Sequence, residues 1–126
     1  MKRQIKKFLS NHQGFTLAEL IIVLAILGML SAIAIPIFSN IVNQAAEKTD
    51  NTNVSVVETA IETYRAEQGS LPTLTTNTAK GSAAFTEVVT LLHDSGYLKN
   101  ATIETQQKDK EFQYDPAQGT VELATK

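Results

Sequence analysis

LIIVLAILGMLSAIAI, the stretch from Leu20 to Ile35, holds no charged residue, and Ser31 is its single polar side chain. Phe15 and Leu17 before it, and Ile37-Phe38 after it, extend the apolar run to the length a helix needs to cross a bilayer, about 20 residues. The run is apolar on all sides, so no stripe points toward a single protein core. Burying such a helix inside a soluble domain would take a large apolar surround. The rest of this 126-residue chain does not offer one: hydrophobic residues total 43% but crowd between Leu17 and Phe38, and aromatics are only 6%, with three Tyr, five Phe and no Trp.

The flanks orient the segment. Lys2, Arg3, Lys6 and Lys7 precede it with no acid before residue 15, and the positive-inside tendency holds that end in the cytoplasm. Removing those four from the 11 basic residues leaves seven against 13 acidic ones, a formal charge of −6 for the remainder. Direct nucleic-acid binding is not expected of so acidic a surface, because that affinity comes mainly from phosphate neutralisation. There is no Cys, which excludes disulfides and Cys-based metal or nucleophile sites. An ordinary secretory signal would end in a short apolar core and a small-residue cleavage site. Here the core is long, and Pro36 is followed by the bulky Ile37 and Phe38.

Immediately before the oily run stand Gly14-Phe15-Thr16-Leu17-Ala18-Glu19. Gly14 lacks a Cβ, so a protease can approach its backbone closely. Glu19 is an anion in apolar surroundings, and burying it unpaired would cost on the order of several kcal/mol. This arrangement of a short basic leader ending in Gly, then Phe, then Glu five residues into the new chain resembles the cleavage region of type IV pilin and pseudopilin precursors. The resemblance runs closely from Lys2 to about Phe38 and loosely thereafter. It implies cutting between Gly14 and Phe15 by a prepilin peptidase, methylation of the Phe15 amine, and a subunit of 112 residues once 14 of the 126 are removed. It further implies that Glu19 of one subunit meets the Phe15 terminus of a neighbour in a helical filament of copies, raised by an inner-membrane assembly platform with minor pilins. Ala18 departs from the usual Ile or Val before the Glu, but it is small enough for processing to proceed. Pro36 removes a helical hydrogen bond and crowds the preceding turn, and Gly28 adds a second position of low helix propensity. Pilin-like proteins carry a matching proline, and the resemblance implies that the segment between Gly28 and Pro36 loosens on assembly.

Beyond Pro36, Phe38, Ile41, Val42, Ala45, Ala46, Val54, Val57, Ile61 and Tyr64 trace one stripe of a helix. Glu47, Lys48, Asp50, Glu58, Glu62 and Arg65 fall largely on its water side, and the poor helix formers Thr49 to Asn53 mark the expected bend. Gly69 and then Pro72 stop the helix, which is therefore expected over about residues 16–68. Ser70 to Ser82 reads as an exposed loop, Ala83 to Ser95 as a short amphipathic helix capped by Gly96, and Phe112 to Tyr114 with Thr120 to Leu123 as strands. Asp115 to Gly119 is the turn between them, and Ile103, within Ala101 to Thr105, begins a possible third strand. The fold class is thus α+β: a long N-terminal helix, membrane-spanning in its first half, packed on a small head with a short helix and an antiparallel sheet of two or three strands. Four segments follow: a leader, 1–14; a membrane and filament-core helix, 15–38; an amphipathic spine, 39–68; and a globular head, 69–126.

Nothing reads as an active site, and no cofactor is implied. His12 and His93 have no metal-ligand spacing, and Lys108 and Lys110 interleave with Asp109, Glu111 and Asp115 as in a solvated charge run. Asn53-Val54-Ser55 and Asn100-Ala101-Thr102 match a glycosylation pattern that carries little meaning in a bacterial cell. The resulting expectation is a structural subunit, by its Glu19 a major one, of a pilus-like filament serving adhesion or motility, DNA uptake or protein secretion. It would lie in the cell membrane with its N-terminus cytoplasmic, then in an extracellular filament. The alternatives are a single-pass membrane protein whose head binds a partner without polymerising, and a secreted protein cut after Pro36.

Overall fold

The computed structural model describes residues 14–77 and 79–126. The leader expected over residues 1–14 thus lies, but for Gly14, outside the described residues, as do Lys2, Arg3, Lys6, Lys7 and His12. The element order is α1 (Leu17–Gln68), α2 (Ser82–Asp94), β1 (Lys110–Asp115) and β2 (Thr120–Thr125). The chain divides into two compact units at Ser39/Asn40, one residue beyond the expected boundary between filament core and spine.

In the first unit α1 is uncovered. Every large apolar residue from Phe15 to Phe38 is at least 51% exposed. Among the described residues this is one helix long and apolar enough to cross a membrane, judged by length and composition.

The second unit has a core. Val57, Ala60 and Ile61 of α1 are buried at spacings of three and four, with Val54 and Tyr64 half-buried on the same stripe. Against them pack Ala84, Phe85, Val88, Val89 and Leu92 of α2, with Leu74 from the preceding loop. Each buried Val, Leu, Ile or Phe side chain contributes roughly 1.5–3 kcal/mol over exposure. The strands alternate as half-buried strands must: Phe112 and Tyr114 face inward, opposite Leu123 and Val121. The Phe85 and Phe112 rings lie 4.9 Å apart between centroids. Local punctuation follows the sequence. Gly69 adopts φ 77° just past α1, where a left-handed residue costs glycine nothing, and its N–H donates to Arg65 O. Asp115 Oδ1 accepts the Ala117 N–H at 2.9 Å, forming the expected turn.

α1 runs unbroken through the poor helix formers Thr49–Asn53, as its expected span required, and the Thr49 and Thr52 hydroxyls bond back to the Ala45 and Lys48 carbonyls. The water-side assignment is corrected for two residues. Asp50 is not on the water side but fully buried. Its Oδ1 accepts the Gln106 N–H at 2.8 Å, and its Oδ2 accepts the Gln107 N–H at 3.2 Å and Gln107 Nε2 at 3.1 Å. A buried carboxylate needs such donors, and here they tie a distant loop to the helix. Glu58 is likewise half-buried, accepting the Val121 N–H at 3.3 Å. The sheet has two strands, within the expected two or three, and the possible third strand at Ile103 is absent among the described residues. Residues 102–105 carry no regular structure, and a lone bridge from Gly81 occupies Tyr114 on β1's outer edge.

The loop after α1 is also more tightly held than its polar composition suggests. Pro72 and Leu74 are buried. Glu87 on α2 accepts the N–H groups of Thr75, Thr76 and Asn77 at 2.6–3.0 Å, together with the Thr75 hydroxyl and Asn77 Nδ2. Led by the Thr76 backbone N–H, these donors hold its carboxyl down from 4.5 to about 2.

Replacing Asp50 with Ala should destabilise the second unit by about 2–4 kcal/mol, because two backbone donors lose their charged acceptor. Asn, which keeps one acceptor oxygen, should cost roughly half as much. Urea denaturation of the detergent-solubilised chain, followed by fluorescence of Tyr64, Tyr97 and Tyr114, measures both. The Glu87 carboxyl is more acidic folded than free. Its clamp therefore favours the ordered loop fully above pH 4.5 and loses that contribution as pH falls toward about 2. Limited proteolysis between Leu71 and Lys80 should stay slow at pH 5 in the wild type and become fast in Glu87→Gln.

Candidate functional site

The sequence-predicted site residues fall on α1 and the three residues before it. Helix starts leave their first N–H groups without partners, and Thr16-Leu17-Ala18-Glu19 supplies them locally. The Thr16 hydroxyl accepts the Glu19 N–H at 3.2 Å, while Glu19 Oε2 accepts the Thr16 N–H at 2.7 Å. This reciprocal arrangement is a capping box. The Leu20 N–H then donates to Thr16 O at 3.2 Å, closing the first turn. Glu19 is the acidic residue of that turn, where the positive end of the helix dipole favours an anion.

Glu19 is exposed, and only one of its carboxylate oxygens is engaged. Oε1 has no partner among the described residues. An ionised carboxylate offers about four lone-pair sites over its two oxygens, so the capped Glu19 retains capacity for a strong external donor. Phe15, four residues before it, is 84% exposed. The site therefore presents a large aromatic, an oriented acid and a start to the helix, all facing outward.

Gly14 lies exposed just before the helix. A Cβ built there would meet no atom within 4 Å, and the same holds at Gly28. Neither position is a glycine because of packing in this chain. Pro36 sits inside α1 and has no N–H to give the Ala32 carbonyl. Among the described residues no group of His, Cys, Asp and Glu could hold a metal ion.

The structure adds Thr16 to the residues singled out from the sequence. Its signal was present as the Thr-x-x-Glu spacing ahead of an apolar run, which is itself a helix-start signature.

A family model described as the prokaryotic N-terminal methylation motif matches residues 9–35. The type IV major pilin protein PilA of Myxococcus xanthus is 37% identical over 65 residues, 52% of this chain and 30% of that protein. The type IV major fimbrial protein FimA of Dichelobacter nodosus is 44% identical over 54 residues, 43% of this chain and 35% of that protein. Prepilin peptidase-dependent protein A of Clostridium perfringens is 30% identical over 86 residues, 68% of this chain and 61% of that protein. The matched part of the chain thus spans about a third of the first two relatives' length. No solved structure matches the chain.

Thr16→Ala should fray the first turn by about 1 kcal/mol. Amide exchange at Glu19 and Leu20 in micelles would then quicken about fivefold, and Thr16→Ser should restore it.

Proposed function

We propose that this chain, a type IV pilin-like precursor by its N-terminal half, is a structural subunit that polymerises from the membrane into a pilus-like filament. The observation that carries the reading is a single oriented anion, Glu19, at the head of an apolar helix with no cover of its own. Contiguous apolar surface on this scale is not left in water. Lipid covers it before assembly, and neighbouring copies cover it afterwards. By this reading the chain is an anchored structural protein rather than an enzyme.

A prepilin peptidase cuts after Gly14, which is open on the outside, and the new amine of Phe15 is methylated. That amine remains cationic after one methylation. It is the donor that the free oxygen of Glu19 on an adjacent subunit can accept, so the pairing fixes axial register while Leu and Ile side chains supply contact area. Gly28 and Pro36 bracket the part of α1 with the weakest intrinsic hold on helical form, and this part loosens when copies pack. The order of segments, cationic leader first, places the N-terminus in the cytoplasm before assembly. The copies are major subunits, and an inner-membrane platform with minor pilins raises them. The filament serves adhesion or motility, DNA uptake or secretion. A non-polymerising membrane protein would keep its leader and would not depend on Glu19.

Mass spectrometry of the purified chain should find 112 residues beginning at methylated Phe15. Glu19→Gln separates the charge from the cap, since Gln also completes a capping box. It should be cleaved normally, while filament yield falls by about tenfold or more, as expected when one partner of a desolvated ion pair is removed. Normal filament yield from Glu19→Gln, or an uncut leader in the wild type, defeats the proposal.

A further inference from the structure

On β1, the N–H and C=O of alternate residues point away from β2. Tyr114 exchanges hydrogen bonds with Gly81 in both directions at 3.1 Å, and at the other end the Lys126 N–H donates to Asp109 O. With the register Tyr114↔Val121 and Phe112↔Leu123, these bonds place the main-chain groups of Lys110, Phe112 and Tyr114 on the outer edge. Lys110 is satisfied there: its N–H donates to Gln107 O at 3.3 Å, and its carbonyl accepts the Thr105 hydroxyl at 2.9 Å. Between the two occupied positions the N–H and C=O of Phe112 have no partner among the described residues, although the residue is 4% exposed. They face a cleft of about 310 Å³ whose far wall includes Ile103 and Thr105.

We propose that residues 103–105 are a strap poised to close on β1 as a third strand. The Thr105 hydroxyl already reaches the Lys110 carbonyl, which points to the register Thr105 opposite Lys110, Glu104 opposite Glu111 and Ile103 opposite Phe112. In that register Ile103 supplies the carbonyl and N–H that Phe112 lacks. The zipper ends there because Gly81 holds Tyr114. The loop at the tip, Gln106 and Gln107, is already anchored by Asp50, so closure needs movement on the Asn100–Thr102 side and transfer of the Lys110 N–H from Gln107 O to Thr105 O.

The same register explains the open state. It sets the side chains of Glu104 and Glu111 directly opposite each other on the outer face, where like charges disfavour pairing. Lys110 and Lys126 also line the cleft. Lys126 Nζ is turned to the Lys108 carbonyl, and Glu111 Oε1 is engaged by Gln113 Nε2. Neutralising one acid of the pair, or screening both with salt, therefore tips the strap shut.

The test is amide exchange of the full chain in micelles, with Gln113, on the β2-paired side of β1, as the internal reference for an intact fold. In the wild type at low salt, Phe112 should exchange at least about tenfold faster than Gln113. In Glu104→Gln that gap should close. Because the chain has no native Cys, the double variant Glu104→Cys/Glu111→Cys gives a second readout. A non-hydrogen-bonded antiparallel pair lies about 4.5 Å apart at Cα, within disulfide reach, so mild oxidation should cross-link it. Protection of the wild-type Phe112 amide equal to Gln113 overturns the proposal. So does an unprotected Phe112 in Glu104→Gln together with a Cys pair that stays reduced.

Discussion

An acid at the head of an uncovered apolar rod is the constraint on which everything else depends. From Leu20 to Phe38 α1 offers neither a polar stripe nor a buried one. The rod is at equilibrium only in lipid or among other apolar helices. Glu19 is the charge that either environment must accommodate. The capping box offsets part of its desolvation with one main-chain donor and with the helix dipole, and leaves the other oxygen open. A carboxylate satisfied on one oxygen from within keeps the capacity for an external donor that the proposed role in registration requires. It is tolerable alone at a membrane surface and most stable beside a cation.

The second unit meets a different problem with the same functional group. It has few aromatics and no disulfide, so a modest core must hold several loops. It does so by aiming carboxylates at backbone N–H groups: Asp50 at 106–107, Glu58 at Val121, Glu87 at 75–77 and Asp115 at its own turn. Charge-assisted bonds of this kind are stronger than neutral ones. They also satisfy donors that a loop lying on a helix would otherwise leave unpaired. The excess of acid in this part of the chain is thus partly internal scaffolding rather than surface charge.

That distinction is what the sequence alone concealed. The bounds of α1, the second helix, the hairpin and its turn followed from periodicity, glycine stops and the Asp115–Gly119 signal, all of them local. The burial of Asp50 did not, because a periodic reading sorts residues by polarity. The donors that make Asp50 tolerable inside lie 56 and 57 residues away. Thr49–Asn53 stay within the expected helix despite poor propensities, and the Asp50 anchor ties this turn to residues 106 and 107. Ile103, expected to begin a possible third strand, instead lies half-buried against the core without pairing. Whether a neighbouring segment pairs with β1 depends on a register that exists only once the hairpin forms. At the N-terminus the residues chosen from the motif stand where chemistry from outside can reach them. Thr16 carries a signal of its own within the same six residues, the Thr-x-x-Glu spacing of a helix cap.

The two halves of α1 therefore place their weak points differently. In the second half the Thr49, Thr52, Ser55, Thr59 and Thr63 hydroxyls all bond to carbonyls one turn back, and a packed core alongside offsets the poor propensities. In the first half Gly28 and Pro36 have no such compensation. The carbonyl of Ala32 faces a proline with no N–H to give it. Lipid cannot satisfy it, whereas a local rearrangement of the backbone can. The apolar half, uncovered and holding Gly28 and Pro36, is thus where the proposed loosening on assembly has a physical basis.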